Sequence, residues 1–532
     1  MSEQFTIPDS MMSVENTLPK DWKEGTFVGR VWRADVNGPS VVKLDNEGYL
    51  VDITTSFPTV SALCEQENPA EAVKAVTGER IGKLSDILAT TARHTKKDDK
   101  PYLLSPIDLH AVKAAGVTFA ESLVERVVEK MAGGDRDKAL GIRIGVLSDI
   151  ATILKKDGAL QTLAVLRQRY DALQGQADNG EALRTLGVEV AQLRSESINF
   201  KETPPGSKPA LQIRDLLIMK FAAFKIDEAV HKYANDDPAA AELVRAQLTR
   251  RFKQVTDAVN SGKEEGFSDA TLKEIRDFLS GLGTGAGKSY IEVGLGPKAE
   301  IFTKAQPMSS VGHGADAGYL EESKWNNPEP EVVLVTNSRK EIVGAALGND
   351  VNHRDIEGMS ELLLGECKDQ NASCAVGPFI RLIDKTSFKQ EDIDTMKVEV
   401  HVKGTDGFEL YSDSSMEKIS RKPEELVNQM FKQHQYPDGA VLFCGTMFSP
   451  VKDRDEPTKG FTHKVGDHVT IRSDKLGSLT NRMDYTQNVE PWIYGVGKLM
   501  QNLAERGVFA VKGFMGRVVE NNQRSRDARG PH

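Results

Sequence analysis

Two periods of apolar and polar residues divide the chain. Over residues 22–62, and again from Tyr290 onward, apolar and polar positions alternate in short runs broken by Gly, Pro and Asn/Asp, which predicts strands. The runs Phe27–Trp32, Val41–Leu44 and Tyr49–Ile53, with turns at Asn37-Gly38-Pro39 and Asn46-Glu47-Gly48, predict a small β-rich N-terminal domain over residues 1–110. Residues 70–97 are helical in character, and Lys96 to Lys100 form a charged, solvated loop. Residues 111–132 follow as a separate short region. Between Gly133 and Gly287 the period lengthens to that of helices. Leu163, Leu166, Tyr170 and Leu173 form one apolar stripe, Ile213, Leu217, Phe221 and Phe224 a second, and Val244, Leu248, Phe252, Val255 and Val259 a third. Asp237-Pro238 starts the third, Ser268 can cap a fourth with Leu272, Ile275 and Leu279 inward, and the turn-rich Thr203 to Pro209 separates the first part from the rest. Residues 133–287 therefore predict a large α-helical insertion packed as a bundle. Residues 288–510 predict a mixed β-roll catalytic domain, with helices at Glu424 to Phe431 and Pro491 to Leu503, followed by a polar tail over 511–532.

One strand carries candidate chemistry. Glu329-Pro330-Glu331 enters the apolar run Val332–Val335, and at a period of two both glutamates project from one face. The run Ile342 to Gly348 reads as a returning strand, so that a hairpin brings Asp350 beside the pair. Three clustered carboxylates repel one another unless a cation holds them; Mg²⁺, before Mn²⁺ or Ca²⁺, suits oxygen ligands with open positions. On pattern alone, ordinary solvated strand carboxylates are the better reading of the same residues.

Composition narrows the classes. A chain of 532 residues exceeds one ordinary core, and 39% hydrophobic with 27% charged residues is the balance of a soluble globular protein. A net charge of −10 argues against a general nucleic-acid binder. No apolar run approaches membrane-spanning length and the start Met-Ser-Glu-Gln-Phe lacks the layout of a signal peptide, so a cytoplasmic protein is expected. Cys64, Cys367, Cys374 and Cys444 show no C-x-x-C pair, consistent with reduced, buried thiols. Gly281 to Ser289 invites a phosphate-loop reading, but the first required glycine falls on Leu282 and the segment leaves a helix for a strand. His313, His353 and His463 read as surface histidines, and Trp325 as core.

The spacing of Glu329-Pro-Glu331, Leu347-Gly-Asn-Asp350-Val-Asn-His-Arg354-Asp355, Lys368-Asp-Gln-Asn-Ala-Ser and Gly377-Pro378 resembles the fumarylacetoacetate hydrolase superfamily. Within it, the similarity is to the bacterial 2-keto-3-deoxy-pentonate dehydratases. It continues through Glu300-Ile-Phe-Thr-Lys304, Asp438-Gly439, Gly445-Thr446 and Gly460 to Asp467, over about residues 1–132 and 288–510. The resemblance implies Mg²⁺ at Glu329, Glu331 and Asp350, acid/base roles for Glu300 and Lys368, and Thr446 orienting a small 2-keto acid. Lys304, Ser122 and Glu125 are further substrate-binding candidates. Many superfamily hydrolases carry a histidine where Ser122 stands, with a glutamate at the position of Glu125; serine cannot act as that base, which favours elimination over hydrolysis. A homodimer or homotetramer is implied, without nucleic-acid or membrane partners. A carbon–carbon hydrolase of acylpyruvates or diketo acids, and a non-catalytic scaffold on the same fold, are the rival readings. The insertion can be a lid, an oligomer contact or a neutral addition.

Overall fold

The computed structural model describes residues 7–92, 100–132, 136–174, 176, 179–197, 203–233, scattered positions between 239 and 250, 291–448, 454–455 and 461–508. Its strands are β1 (Phe27–Arg33), β2 (Gly38–Leu44), β3 (Tyr49–Asp52), β4 (Glu79–Lys83), β5 (Tyr102–Leu104) and β6 (Ala111–Gly116). After the helices come β7 (Glu300–Ala305), β8 (Asp316–Tyr319), β9 (Asn326–Asn327), β10 (Pro330–Thr336), β11 (Ile342–Asp350) and β12 (Asn352–His353). The last are β13 (Cys374–Leu382), β14 (Lys397–Lys403), β15 (Glu409–Ser415), β16 (Ala440–Phe443), β17 (His468–Ser473) and β18 (Gly477–Tyr485).

The uninterrupted apolar run of β10 is explained by burial on both faces. Val332 and Leu334 point into a core shared with Val400, Ile471 and Leu479 of a five-stranded sheet ordered β15-β14-β17-β18-β8. Val333 and Val335 point the other way, onto a second core with Val60, Leu63 and Ala70 from the short helices Val60–Cys64 and Pro69–Ala75. β10 is thus central in a sheet of eleven strands, ordered β4-β3-β2-β1-β13-β11-β10-β16-β6-β7 with β5 on β1. The sheet also curls. Beyond β7 the chain returns to β13 at the bridge Val311↔Ala375, where Val311 N–H donates to Cys374 and Val376 N–H donates to Val311, both at 2.9 Å. That return brings the edge strand β7 around to the strands that carry the carboxylates.

Several expectations change. The N-terminal strands are not a domain with a sheet of their own: β1 pairs antiparallel with β13, Phe27 opposite Arg381 and Val28 opposite Ile380. Alternation marks a half-buried strand but is silent on its partner. Residues 70–97 are not one helical stretch, because β4 lies between the helices Pro69–Ala75 and Leu84–Ala92. Gly78 makes this possible, since a Cβ there would sit 2.0 Å from the Asp52 carbonyl oxygen. Residues 291–295 are helical where strand was expected.

The helices Ala120–Ala132, Arg136–Ile153, Asp157–Leu173, Gly180–Ser197 and Lys208–Tyr233 share one core. In it Leu163, Leu166, Tyr170, Ile213, Leu217 and Phe221 are buried as their stripes predict, with Leu173 partly buried against them. The same core holds Leu123, Val124, Val127 and Val128. The boundary drawn at residue 132 therefore falls inside one packed unit; β6 belongs to the sheet and the helix after it to the bundle. The third and fourth stripes, the 281–289 segment and the tail 511–532 lie outside the described residues. Among the described residues, no helix is long and apolar enough to cross a membrane.

Arg381 of β13 binds the N-terminal segment to the sheets. Its side chain is wholly buried and donates to both oxygens of Asp21 at 2.9 and 3.0 Å, and to the carbonyls of Lys475 and Ser387 at 2.9 and 3.0 Å. The guanidinium lies between the rings of Phe27 and Phe388, 5.3 and 5.1 Å from their centroids. Arg381→Met should cost roughly 3 kcal/mol, because it strands two carbonyls and a partly hydrated carboxylate. Urea unfolding checks this, and a loss under about 1 kcal/mol would contradict the anchoring role.

Candidate active site

The site begins with strand register. Pro330 of β10 lies opposite Asn349 of β11, Asp350 N–H donates to the Glu329 carbonyl at 3.0 Å, and Glu329 N–H donates to Asn349 Oδ1 at 3.1 Å. These bonds set Asp350 beside Glu329, and one carboxylate oxygen from each of Glu329, Glu331 and Asp350 lies within 4.8 Å of the others. Glu331 is aimed by the backbone: Gly445 N–H donates to its Oε2 at 2.6 Å. Gly445 has φ +83°, and a Cβ there would meet Thr118 Oγ1 at 2.2 Å, so only glycine presents that N–H without strain.

Two lysines enter the cluster from different elements. Lys368, closing the short helix Leu364–Lys368, places Nζ 2.6 Å from Glu329 Oε2 and 3.1 Å from Asp350 Oδ2. Lys304, from β7, lies 2.9 Å from Asp350 Oδ1 and donates to the carbonyls of Val351 and Lys368 and to Ser373 Oγ. Asn352 bridges a fourth carboxylate, donating to Glu329 Oε1 at 3.0 Å and Glu357 Oε2 at 2.8 Å. Four carboxylates against two ammonium groups leave a formal charge of −2 when all are ionised. Burial, then the neighbouring Asp350 and Glu329 carboxylates, push the Glu331 carboxyl well above the ordinary range. Glu329 is raised by burial as well, with Lys368 opposing. For Lys368 burial works downward, but Asp350 and Glu329 outweigh it and hold the ammonium charged.

The donor set suits a hard divalent cation. All ligating atoms are oxygens, the excess charge matches one such ion, and Asp350 Oδ1 is buried without a hydrogen bond, since Lys304 meets it off the hydrogen-bonding angle. The Glu329 side chain keeps more surface, 12%, than Asp350 at 2% or Lys368 at 5%.

The other candidates fall less uniformly. Lys304 is wholly buried, and its ammonium lies against Asp350 and three further oxygens. Glu300 and Phe302 share its strand face on β7; Phe302 lies 5.7 Å under the Lys368 ammonium, and Glu300 is half-buried with Oε2 over Gly116, 2.0 Å from where a Cβ would stand. Thr446, half-buried next to Gly445, accepts from Phe448 N–H at 3.0 Å. Ser122 and Glu125 sit in the helix Ala120–Ala132, and their side chains lie outside the described residues. Trp325, expected in the core, is 43% exposed, with the Arg354 guanidinium 4.9 Å from its ring centroid.

The three histidines are buried rather than on the surface. His353 accepts from Leu320 N–H through Nε2 at 2.9 Å and therefore donates through Nδ1 to the Cys367 carbonyl at 2.7 Å, which holds the turn that presents Lys368. Burial lowers its pKa to about 4. His313 accepts from Thr480 N–H at 3.0 Å, and burial lowers it to about 3. His463 packs on Asp467, which also takes a bidentate pair from Arg454. Cys367 and Cys374 are buried thiols pushed up to about 12 by desolvation. Asn352 and His353 lie within the run Leu347 to Asp355 that carries the resemblance but have no role assigned there, and Glu357 lies just beyond it, with only its nearness to Asp350 in the chain to hint at it.

Residues 298–484 match the fumarylacetoacetate (FAA) hydrolase C-terminal family, and this stretch of the chain is a domain of that superfamily. Two curated relatives share the region. The probable 2-keto-3-deoxyxylonate dehydratase of Haloferax volcanii is 33% identical over 193 residues, 36% of this chain and 62% of that protein. The 2-dehydro-3-deoxy-D-arabinonate dehydratase of Saccharolobus solfataricus is 32% identical over 183 residues, 34% of this chain and 57% of that protein. The chain thus spans about three fifths of the length of the curated relatives it matches. A solved 2-keto-3-deoxy-D-arabinonate dehydratase complexed with magnesium and 2,5-dioxopentanoate is 29% identical over 37% of this chain and 66% of that one, with a TM-score of 0.33.

Two outcomes follow from burial here. Lys304→Met should cost roughly 3 kcal/mol in urea unfolding, with part recovered in the double variant with Asp350→Asn; a loss under about 1 kcal/mol would refute the pairing. His313 is neutral when folded and has a pKa near 6.5 when unfolded, so the unfolded chain binds the extra proton between about pH 3 and 6.5. Its contribution to stability is full above that window and falls as pH drops through it. His313→Asn, which keeps an acceptor for Thr480, should flatten the acid limb of the stability–pH curve, and an unchanged slope would contradict a neutral buried ring.

Proposed function

We propose that this chain is a Mg²⁺-dependent hydro-lyase that converts a 2-keto-3-deoxy-pentonate to 2-oxoglutarate semialdehyde in sugar-acid catabolism, acting in the cytoplasm as a homodimer or homotetramer. The observation that carries the proposal is the convergence of Glu329, Glu331 and Asp350 within 4.8 Å, with Lys368 held against two of them. The third of positions shared with two sugar-acid dehydratases over this region supports the substrate class.

Glu329, Glu331 and Asp350 would hold the ion. Bound there, it would act as a Lewis acid toward the keto and carboxylate oxygens of a 2-keto acid and make the C3 protons more acidic. The protein supplies the remaining steps. One C3–H bond breaks and its electron pair becomes the C3=C4 π bond, while the C4–O bond breaks and the departing hydroxide takes a proton to leave as water. Tautomerisation of the unsaturated acid then turns C5 into the aldehyde. Glu300, on the face of β7 that Phe302 shares, is the candidate acceptor of the C3 proton. Lys368, charged and nearly buried, is the candidate donor to the leaving hydroxyl; an ammonium held by two carboxylates suits that role better than a Schiff base, which needs a neutral amine. Thr446, beside the N–H that fixes Glu331, would orient the substrate. His353 keeps the Lys368 turn in place through the Cys367 carbonyl.

Incubation of metal-stripped protein with Mg²⁺ should raise its thermal midpoint and, with 2-keto-3-deoxy-pentonate present, release the semialdehyde. Glu331→Gln should remove the Mg²⁺-induced rise and lower turnover by at least about 100-fold, with far-ultraviolet circular dichroism unchanged. A Mg²⁺ response retained by that variant would refute the ligand assignment. Cleavage of acylpyruvates without dehydration would replace the lyase by the hydrolase reading.

A further inference from the structure

A cavity of about 790 Å³ lies away from the carboxylate cluster, walled by Trp32, Tyr102, Met308, Trp492 and Tyr494, with Arg30 at its base. This volume is in the range of small-molecule sites. The rings are organised: Trp32 and Tyr102 stack at 6.5 Å with 20° between planes, and Tyr494 meets Trp32 edge-on at 5.2 Å. Arg30 is the unusual member. It is 5% exposed, yet among the described residues its side-chain hydrogen-bond acceptors are the carbonyls of Ser105 and Ile107, at 3.3 and 2.7 Å, and the Met308 sulfur at 3.7 Å. The buried carboxylate that acts on it through space, Asp108, instead accepts the backbone N–H groups of Val60, Ser61 and Leu109 at 2.6, 3.0 and 2.7 Å. A buried guanidinium without a hydrogen-bonded anion is costly, and one that fronts a cavity leaves room for a ligand to bring that anion. Met308, whose sulfur occupies the third position, is held in the left-handed region at φ +71°, a strained backbone of the kind that gathers at ligand sites.

We infer that this cavity is a binding site for a small organic carboxylate with a flat ring body, its carboxylate on Arg30 and its ring between Trp32 and Trp492. Glu490 and Glu505 also line the walls, with Lys498, so the lining with Arg30 is formally neutral and a doubly charged phosphate meets more repulsion there than a singly charged carboxylate. The site adjoins the candidate active site along the chain. The chain leaves β7 just after Lys304 and enters the wall at Met308, Asn371 of the wall follows closely after Lys368, and Gln306 Nε2 donates to Asp369 Oδ2 at 2.7 Å between the two segments.

Titration of the full chain with benzoate tests the site through intrinsic fluorescence, since two of the four tryptophans line the cavity. Benzoate should give a saturable change, and neutral benzamide and dianionic phenyl phosphate should bind at least about tenfold more weakly. Arg30→Gln should weaken benzoate at least about tenfold, whereas Glu331→Gln, at the separate cluster, should leave it unchanged. Met308→Glu, which places a carboxylate on Arg30 from within, should abolish the response while keeping the fold, and it decides the matter if Arg30→Gln does not fold. No saturation below roughly 10 mM benzoate, benzamide binding as well as benzoate, or benzoate affinity surviving Met308→Glu would each overturn the inference. Tighter binding of phenyl phosphate would overturn the carboxylate assignment.

Discussion

Mutual repulsion among buried carboxylates is the constraint around which this protein is built. Glu329, Glu331, Asp350 and Glu357 come from one hairpin and the helix after it, and no hairpin could hold them together alone. Lys304 arrives from an edge strand and Lys368 from a short helix, so the charges are opposed only when the sheet has curled and the chain beyond β7 has returned to β13. The charge balance of the site and the closure of the sheet are therefore one event. What remains after both lysines is an excess of negative charge and an unbonded carboxylate oxygen, the electrostatic condition that a divalent cation satisfies.

The same closure explains why the N-terminal strands are not autonomous. β1 completes the sheet beside β13, and Arg381 on β13 reaches back to Asp21 across two aromatic rings. The helical bundle is organised differently. Its core is separate from the two sheet cores, and it meets the sheet region where β6 gives way to the helix Ala120–Ala132. The segment between β6 and that helix is held by Thr118, whose hydroxyl donates to the Cys444 carbonyl at 2.7 Å, next to the N–H that aims Glu331. Bundle and carboxylate cluster thus share a short, hydrogen-bonded junction.

The cluster and the Arg30 cavity show opposite solutions to buried charge. In the first, anions outnumber cations and every ammonium is held by carboxylate oxygen. In the second, a cation is satisfied by carbonyls and a thioether while the nearby carboxylate is occupied by backbone amides.

Local pattern determined a good deal on its own. The strand period placed Glu329 and Glu331 on one face, the returning apolar run brought Asp350 back, and the helical stripes through Leu163, Leu166, Tyr170, Ile213 and Leu217 marked the residues that the bundle buries. Such signals survive in sequence because they record the burial of one element by its own repeat. Only the tertiary structure decided that β1 joins the sheet that carries the carboxylates, that His313, His353 and His463 are interior, that Lys304 holds Asp350, and that Glu357 enters the cluster. Those facts depend on which distant segments meet. A lysine that neutralises a carboxylate forty-six residues away leaves no period in the chain, because Coulomb's law acts on separation in space and not along the backbone.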